Sequence, residues 1–114
     1  MDEIKPDIDA AQFFAVDMRV GRIVTVEPFP QARVPAYRMT VDLGPLGVRQ
    51  TSAQVTNYHP SELEGSLVVA AVNLGVKRIA GLRSELLVLG AIGPDGTVRL
   101  LRPDPGAVPG EPIA

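Results

Sequence analysis

The sequence predicts an all-β fold with only a few short helices. Three features support this: segments in which apolar and polar residues alternate, continuously apolar segments of strand length, and turns rich in glycine and proline between them. The chain has 114 residues, which is enough for one hydrophobic core and too few for two. We therefore expect one domain spanning residues 1–114.

The N-terminal part predicts a short helical segment (residues 1–15) followed by one long strand. Residues 7–15 fit a helix with acidic residues in its first turn, where they interact favourably with the helix dipole. From Val16 to Val26 the even-numbered positions are mostly apolar, so a period of two dominates. Gly21 lies in the middle of this strand, where we expect a sharp bend.

The middle of the chain predicts two more strands and a second helix. Alternation returns in residues 37–43 and 48–54, and a turn rich in glycine and proline connects these two segments. Pro60 suits the first position of a short helix, and Gly65 suits the left-handed residue that ends it.

The last part of the chain predicts two apolar strands, a hairpin and a tail. Residues 67–72 and 86–92 are the apolar strands, and a turn leads from the second into residues 98–102. Residues 103–114 contain four prolines, which favour an extended path. The order of these elements matches a five-stranded OB barrel formed by residues 16–102, with a small β-sandwich as the alternative.

The composition excludes several classes of protein and site. The absence of cysteine excludes disulfides and thiolate metal sites, and the single histidine, His59, excludes a multi-histidine site within one chain. No apolar run approaches the roughly 20 residues that a membrane helix needs, and the N-terminus shows no secretory signal. We expect a cytoplasmic protein without a metal or other cofactor and without membrane insertion.

The charge is distributed unevenly along the chain. Residues 1–17 contain five acids and one lysine, and residues 103–114 contain two acids and no base. Residues 18–102 contain ten bases and six acids, a net charge of +4. This excess suits an anionic partner, although it is smaller than the basic footprint usual for nucleic-acid-binding domains.

No arrangement of residues predicts catalysis. His59 has serine candidates such as Ser52 or Ser61, but no serine has the context of a nucleophile elbow. The favoured interpretation of His59 is a solvent-facing residue just before the second helix. We expect a binding protein and not an enzyme, and a hydrolase is the least favoured alternative.

The segment between the fourth and fifth strands, residues 73–85, is the best candidate for a binding site. It carries three bases, an amide and a hydroxyl, and the corresponding loop of an OB barrel borders the ligand face. Such side chains offer charge-assisted and directional hydrogen bonds to phosphate or to a peptide backbone. The alternative interpretation is a solvated hairpin without a ligand. The candidates are Asn73, Lys77, Arg78 and Ser84.

Three stretches of the chain resemble the CsaA family, a branch of the tRNA-binding OB domains. They are FFAVDMRVGRIVTVEPFPQARVPAYRMTVDLGPLG (residues 13–47), QTSAQVTN (residues 50–57) and VNLGVKRIAGLRSELLVLGA (residues 72–91). The combination of Val-Asp-x-Arg-Val-Gly with Asn-x(7)-Gly-x-x-Ser is specific, and the resemblance spans about residues 13–114.

The resemblance implies a homodimeric chaperone for unfolded preproteins, with the export machinery as a further partner. It also implies that the candidate loop corresponds to the one that holds tRNA in the tRNA-binding relatives. By position, Gln54 matches a polar residue facing that loop, and Arg49 is a looser candidate.

The sequence departs from the tRNA-binding relatives at Glu85-Leu86, where CsaA-type chains resemble this one. An acid at Glu85 would repel phosphate if it faces the same groove, which favours peptide over tRNA as the ligand. A tRNA-binding module acting in trans beside a synthetase is the second hypothesis.

Overall fold

The computed structural model describes residues 3–114. Its two helices in this range, α1 (Ala10–Phe14) and α2 (Pro60–Leu63), are too short to cross a membrane, and a 3-10 turn lies at Gly44–Leu46. The same range contains nine strands: β1 (Met18–Pro28), β2 (Tyr37–Asp42), β3 (Val48–Ala53), β4 (Leu67–Ala71), β5 (Lys77–Ile79), β6 (Leu82–Ser84), β7 (Leu87–Val88), β8 (Gly90–Ile92) and β9 (Val98–Leu100).

Five of the strands form one antiparallel sheet in the order β3-β2-β1-β4-β7. The sheet curls until β3 meets the chain just before β7, so the barrel is nearly closed. The predicted all-β barrel of the OB type is confirmed. Its core contains the buried side chains of Ile23, Val26, Met39, Val41, Leu43, Val55, Leu63, Val68, Ala70, Val72 and Leu86.

Barrel closure depends on hydrogen bonds between residues 50–51 and 84–86, which we call the closure seam. The Thr51 hydroxyl donates to the Leu86 carbonyl at 2.9 Å and accepts from the Ser84 hydroxyl, also at 2.9 Å. The Glu85 amide donates to the Gln50 carbonyl at 2.9 Å, and the Gln50 amide donates to the Glu85 carboxylate at 3.0 Å. Because Thr51 and Ser84 are buried, water does not compete for the bond between their hydroxyls.

β1 changes partner at Arg22, which pairs with both β4 and β2. Gly21 lies just before this change. A Cβ atom on Gly21 would lie 2.5 Å from Val41 Cγ1 and 3.2 Å from Leu43 Cδ2, and both of these side chains are fully buried. The absence of a side chain at Gly21 therefore allows β2 and the residue after it to pack tightly over β1.

The pairing of β1 with β2 is irregular at Val24, three residues beyond Gly21, and the sharp bend expected at Gly21 stays a prediction. The pairing with β2 shifts between Ile23 and Thr25, which makes Val24 the extra residue of a β-bulge. The bulge reverses which residues face the core: Ile23 is 1% exposed, Val24 is 49% exposed and Val26 is 7% exposed. The predicted burial of the apolar even positions therefore holds at Val20 and Val26 and fails between them, where Ile23 is buried and Val24 is exposed.

α1 is shorter than the predicted helix at residues 7–15. It begins after Asp9, whose amide donates to the Gln12 side chain at 2.9 Å, so the predicted acids precede the helix and do not lie in its first turn. Phe13 and Phe14 contact each other edge to face, with ring centroids 5.3 Å apart. Both rings remain largely exposed to solvent, at 46% and 65% for the whole residues.

α2 begins and ends close to the predicted positions. His59 is the capping residue: its Nδ1 accepts from the Ser61 amide at 3.2 Å, and its own amide donates to the Glu62 carboxylate at 2.7 Å. Gly65 follows the helix with a φ of +82°. Leu63 is fully buried and belongs to the barrel core. The interpretation of His59 as an exposed residue before the helix is confirmed.

The predicted strand at residues 86–92 is divided in two. β7 pairs with β4, whereas β8 pairs with β9 in the predicted hairpin. Leu89 lies between β7 and β8 and forms a hydrogen bond with each neighbouring segment. Its amide donates to the Val69 carbonyl of β4, and its carbonyl accepts from the Leu101 amide after β9. In the turn of the hairpin, a hydrogen bond from the Thr97 amide at 3.0 Å lowers the pKa of Asp95.

The proline-rich tail is docked against the first residues of β1. The Gly110 amide donates to Val20 at 2.8 Å, and the Val20 amide donates to Glu111 at 2.9 Å. The Arg19 guanidinium donates to the Gly110 carbonyl at 3.1 Å and to Asp17 at 2.7 Å, and the bond to Asp17 raises the pKa of Arg19. The pairing of β1 with β2 covers Arg22 to Pro28, and the tail pairs with the residues of β1 that precede this range.

Replacing Gly21 by alanine tests the close packing over β1. We expect a loss of about 1–3 kcal/mol in the free energy of unfolding, because the new methyl group overpacks a full core. Urea denaturation measures this change. Gly106→Ala is the matched control, since a Cβ there meets no atom within 4 Å, and we expect a change below about 0.5 kcal/mol. Equal stability of the two variants would contradict the packing argument.

Candidate ligand-binding surface

The predicted binding segment contains a regular hairpin. β5 and β6 pair through Lys77↔Ser84, Arg78↔Arg83 and Ile79↔Leu82. The turn between them consists of Ala80 and Gly81, which have φ angles of +48° and +86°. Positive φ at both central residues is typical of a type I′ turn, which suits the twist of a hairpin. The alternative interpretation of this segment was a solvated hairpin without a ligand. The segment does fold as a solvent-exposed hairpin, which agrees with the structural part of that interpretation.

Two arginines lie directly opposite each other on this hairpin. Because side chains alternate along a strand, Arg78 and Arg83 share one face of the ladder. Both are exposed, and within residues 3–114 no ion pair neutralises either of them. Like charges directly opposite on a ladder destabilise the pairing, so a bound anion would relieve the repulsion. The pair is a candidate anion site, and Arg83 was not among the predicted site residues.

A groove lies on the outer face of the sheet beside the hairpin, with a volume of about 240 Å³. Within it the hydroxyls of Thr25 and Thr40 share a hydrogen bond of 2.7 Å. Arg38 donates to Glu27 at 2.6 Å, and both side chains are about half exposed, so water screens this ion pair. We call this site the polar groove; its lining consists of Thr25, Glu27, Arg38, Met39, Thr40, Gln50 and Leu82.

Three of the predicted site residues are bonded to the framework of the protein. Ser84 belongs to the closure seam, and the Arg49 guanidinium donates to the Val72 carbonyl at 2.7 Å. The Asn73 side chain accepts from the Asp17 amide at 2.7 Å and donates to the Ala15 carbonyl at 2.8 Å. Asn73 therefore ties the end of α1 to the chain that follows β4, and we call this arrangement the Asn73 clamp.

The six predicted residues do not converge on one point. Lys77 and Arg78 are exposed on the hairpin, whereas Gln54 is exposed beyond the end of β3. Gln50, which lines the polar groove, lies on β3 four residues before Gln54. In an extended chain these two residues are separated by about 13 Å. The hairpin and the polar groove, rather than the predicted set as a whole, form a continuous candidate surface.

Glu85 is half-buried, and its carboxylate accepts from the main chain of the closure seam. The bonded residue, Gln50, also lines the polar groove, so the carboxylate is held at the margin of that groove. A negative charge there disfavours phosphate in the polar groove. Phosphate contacts would therefore concentrate on the exposed face of Arg78 and Arg83.

Residues 3–114 contain no group of three His, Cys, Asp or Glu side chains that could hold a metal ion. His59 Nδ1 and the Ser61 hydroxyl lie 2.8 Å apart, but the same Nδ1 atom accepts from the helix amide, so the contact is part of the α2 cap. The surface provides hydrogen bonds and charge for binding.

An OB-type barrel with a polar groove on its outer face and a basic hairpin beside it is a ligand-binding module. A family model described as a putative tRNA binding domain matches residues 18–112, and the chain belongs to this family. The resemblance to CsaA proteins is confirmed by two crystal structures. The CsaA chaperone protein of Picrophilus torridus is 45% identical with a TM-score of 0.90, and that of Bacillus anthracis is 42% identical with a TM-score of 0.91. The alignments cover 95% and 96% of this chain and 100% of each of those chains.

Methionine–tRNA ligases also contain a similar sequence. Methionine–tRNA ligase 1 of Sorangium cellulosum is 38% identical over 110 residues, and that of Methanosarcina acetivorans is 35% identical over 112 residues. These alignments cover 96% and 97% of this chain but only 16% of each ligase. The chain thus corresponds to a small part of these relatives.

Replacing Ser84 by alanine separates a framework role from a ligand-binding role. We expect the free energy of unfolding to fall by about 1 kcal/mol, because the buried Thr51 hydroxyl loses the bond that it accepts from Ser84 and keeps only its bond to the Leu86 carbonyl. Chemical denaturation measures this change, and Gln54→Ala, an exposed substitution, should change stability by less than about 0.5 kcal/mol. Ligand affinity should be unaffected in the folded S84A protein. A loss of affinity at unchanged stability would make Ser84 a ligand residue.

Proposed function

We propose that this chain is a non-catalytic, homodimeric binding protein of the cytoplasm that holds unfolded or export-destined polypeptides, as a CsaA-type chaperone. The observation that carries the proposal is the agreement of the fold with two structures described as CsaA chaperones over the whole of those chains. Export-destined preproteins would make the export machinery a further partner.

Exposed apolar side chains on and near α1 support an interaction surface outside the barrel. Phe13 and Phe14 lie on α1, and Leu74 and Val76 lie on the segment that the Asn73 clamp joins to α1. Exposed apolar side chains of this kind indicate an interaction surface, because their burial against a partner removes them from water.

The same side chains support the homodimer. A two-fold interface uses the same surface on both subunits, and the aromatic rings of α1 project outside the barrel, where a second copy can cover them. Sedimentation of the wild-type protein as a monomer at micromolar concentration would remove this part of the proposal.

The second candidate function is a tRNA-binding module that acts in trans with a synthetase. One observation favours it specifically: the unneutralised pair of Arg78 and Arg83 on the hairpin. The family described as a putative tRNA binding domain and the similarity to part of methionine–tRNA ligases agree with this role. Glu85 at the margin of the polar groove argues that such binding is weak and mostly electrostatic.

The double variant Lys77→Ala/Arg78→Ala separates the two functions. Both side chains are exposed, so stability should change by less than about 0.5 kcal/mol. Suppression of the aggregation of an unfolded model protein, followed by light scattering, should be retained, because apolar side chains provide most of the polypeptide affinity. Any affinity for bulk tRNA should fall, and its salt slope should decrease by about one for each phosphate that the variant no longer neutralises.

Arg99→Ala is the control, since Arg99 is an exposed base on β9, outside the hairpin and the polar groove. It should leave both activities unchanged. Loss of both activities in the double variant alone would mean that polypeptide and tRNA share one basic site, against the proposal.

A further inference from the structure

A second groove, of about 380 Å³, lies at the connection between β1 and β2. It is lined by the segment from Pro28 to Tyr37 together with Thr56, and we call it the connection groove. It shares no lining residue with the polar groove. Neither the hairpin nor any predicted site residue contributes to its walls.

The chemistry of the walls suits an apolar ligand rather than phosphate. Three of the lining residues are prolines, Pro28, Pro30 and Pro35, which have no N–H group to donate to an anion. Phe29 and Ala36 are buried and contribute apolar surface.

Arg33 supplies the only charge among the lining residues, and it is exposed. Within residues 3–114 no salt bridge to Arg33 is present. A single unpaired cation beside an apolar groove complements an apolar side chain that has a carboxylate close to it. The charge thus defines which polypeptide segments the groove would prefer.

The groove is also held in shape without a ligand. Each proline has a fixed φ, which lowers the conformational freedom of the connection. The Tyr37 hydroxyl donates to the Tyr58 carbonyl at 2.8 Å, and the Ala32 amide donates to the Phe29 carbonyl at 3.2 Å. A site formed in advance loses less conformational entropy when a flexible chain binds to it.

Strand geometry separates this groove from the polar groove. Successive residues of a strand point to opposite faces, so Glu27 and Arg38 lie on one face and their neighbours Pro28 and Tyr37 on the other. Pro28 and Tyr37, at the two ends of the connection, thus face away from the polar groove, and the rest of the connection groove is formed mainly by the connection itself.

We propose that the connection groove is the polypeptide-binding site of this protein, and that it accepts an apolar side chain flanked by a carboxylate that pairs with Arg33. This inference rests on the proposed chaperone function and names its site and its preferred ligand. The occupant is an extended segment of unfolded polypeptide.

The test uses two fluorescent ten-residue peptides of glycine and serine with a central phenylalanine, flanked by aspartates in one and by lysines in the other. The wild-type protein should prefer the acidic peptide by about two- to fivefold, the effect of one partly exposed ion pair. Arg33→Glu should reverse the preference, and Arg99→Glu, the matched control, should leave it unchanged. An unaltered preference in R33E would overturn the assignment of Arg33.

Ala32→Gln tests the apolar part of the groove, since Ala32 is a half-buried lining residue and the larger side chain fills the space. It should weaken both peptides about tenfold, the effect of excluding one well-buried apolar group. Its thermal unfolding is compared with that of the wild type.

An NMR titration of the wild-type protein with peptide provides a measurement that does not depend on any variant. We expect the amide shifts to change only in residues 29–37. Shifts confined to residues 77–84 would overturn the proposal.

Aggregation assays with the same variants distinguish this inference from the proposed function. If the wild type suppresses aggregation and R33E and A32Q do so equally well, the function stands and the groove is not its site. If the wild type suppresses no aggregation but peptide shifts map to residues 29–37 with a reversible charge preference, the groove binds peptide and the chaperone function fails.

Discussion

The closure seam determines where the basic hairpin and the polar groove lie. β3 and the chain at residues 84–86 are far apart in sequence, and the Thr51 hydroxyl joins them by bonding both Ser84 and the Leu86 carbonyl. The seam ends β6, so it fixes the hairpin against the outer face of the sheet, where Leu82 and Gln50 line the same groove. A buried hydroxyl without its partner is unfavourable, which makes the closed position of the hairpin the stable one.

The barrel presents two surfaces with different chemistry. One is the polar groove with the arginine pair of the hairpin beside it, and the arginine pair suits an anion. The other lies between prolines at the β1–β2 connection and suits an apolar chain. They share no lining residue, since strand alternation turns Pro28 and Tyr37 away from Glu27 and Arg38 and the other walls of the connection groove lie outside the strands. A family described as tRNA-binding and structures described as chaperones share this barrel, and the two surfaces give a physical basis for two kinds of ligand on one fold.

The elements that depend on local sequence were predictable. Alternation identified β2 and β3, and Pro60 with Gly65 marked the ends of α2, because these signals act within a few residues. The hairpin of β5 and β6 was less visible, since Ala80 at a positive φ is uncommon. The bulge at Val24 depends on pairing with β2, which an isolated strand pattern does not reveal.

The site was predictable only in part, because several of its side chains also contact residues that are distant in sequence. The sequence located the basic hairpin, but Asn73, Ser84 and Arg49 bond to groups that are distant in sequence, and their polar character alone does not distinguish a framework bond from a ligand contact. The connection groove was missed because prolines and alanines in a turn carry no motif. Its signal was the single arginine among apolar residues between β1 and β2.

The central claim, that polypeptide is the principal ligand, is tested most directly by titrating the wild-type protein with an unfolded polypeptide and with bulk tRNA at about 50 mM and 200 mM salt. Contacts dominated by apolar surface should keep the polypeptide affinity nearly constant between the two salt concentrations. Affinity for tRNA should be weaker and should fall steeply, because counterion release drives it. A tight tRNA complex that is insensitive to salt, with no binding of the polypeptide, would contradict the account.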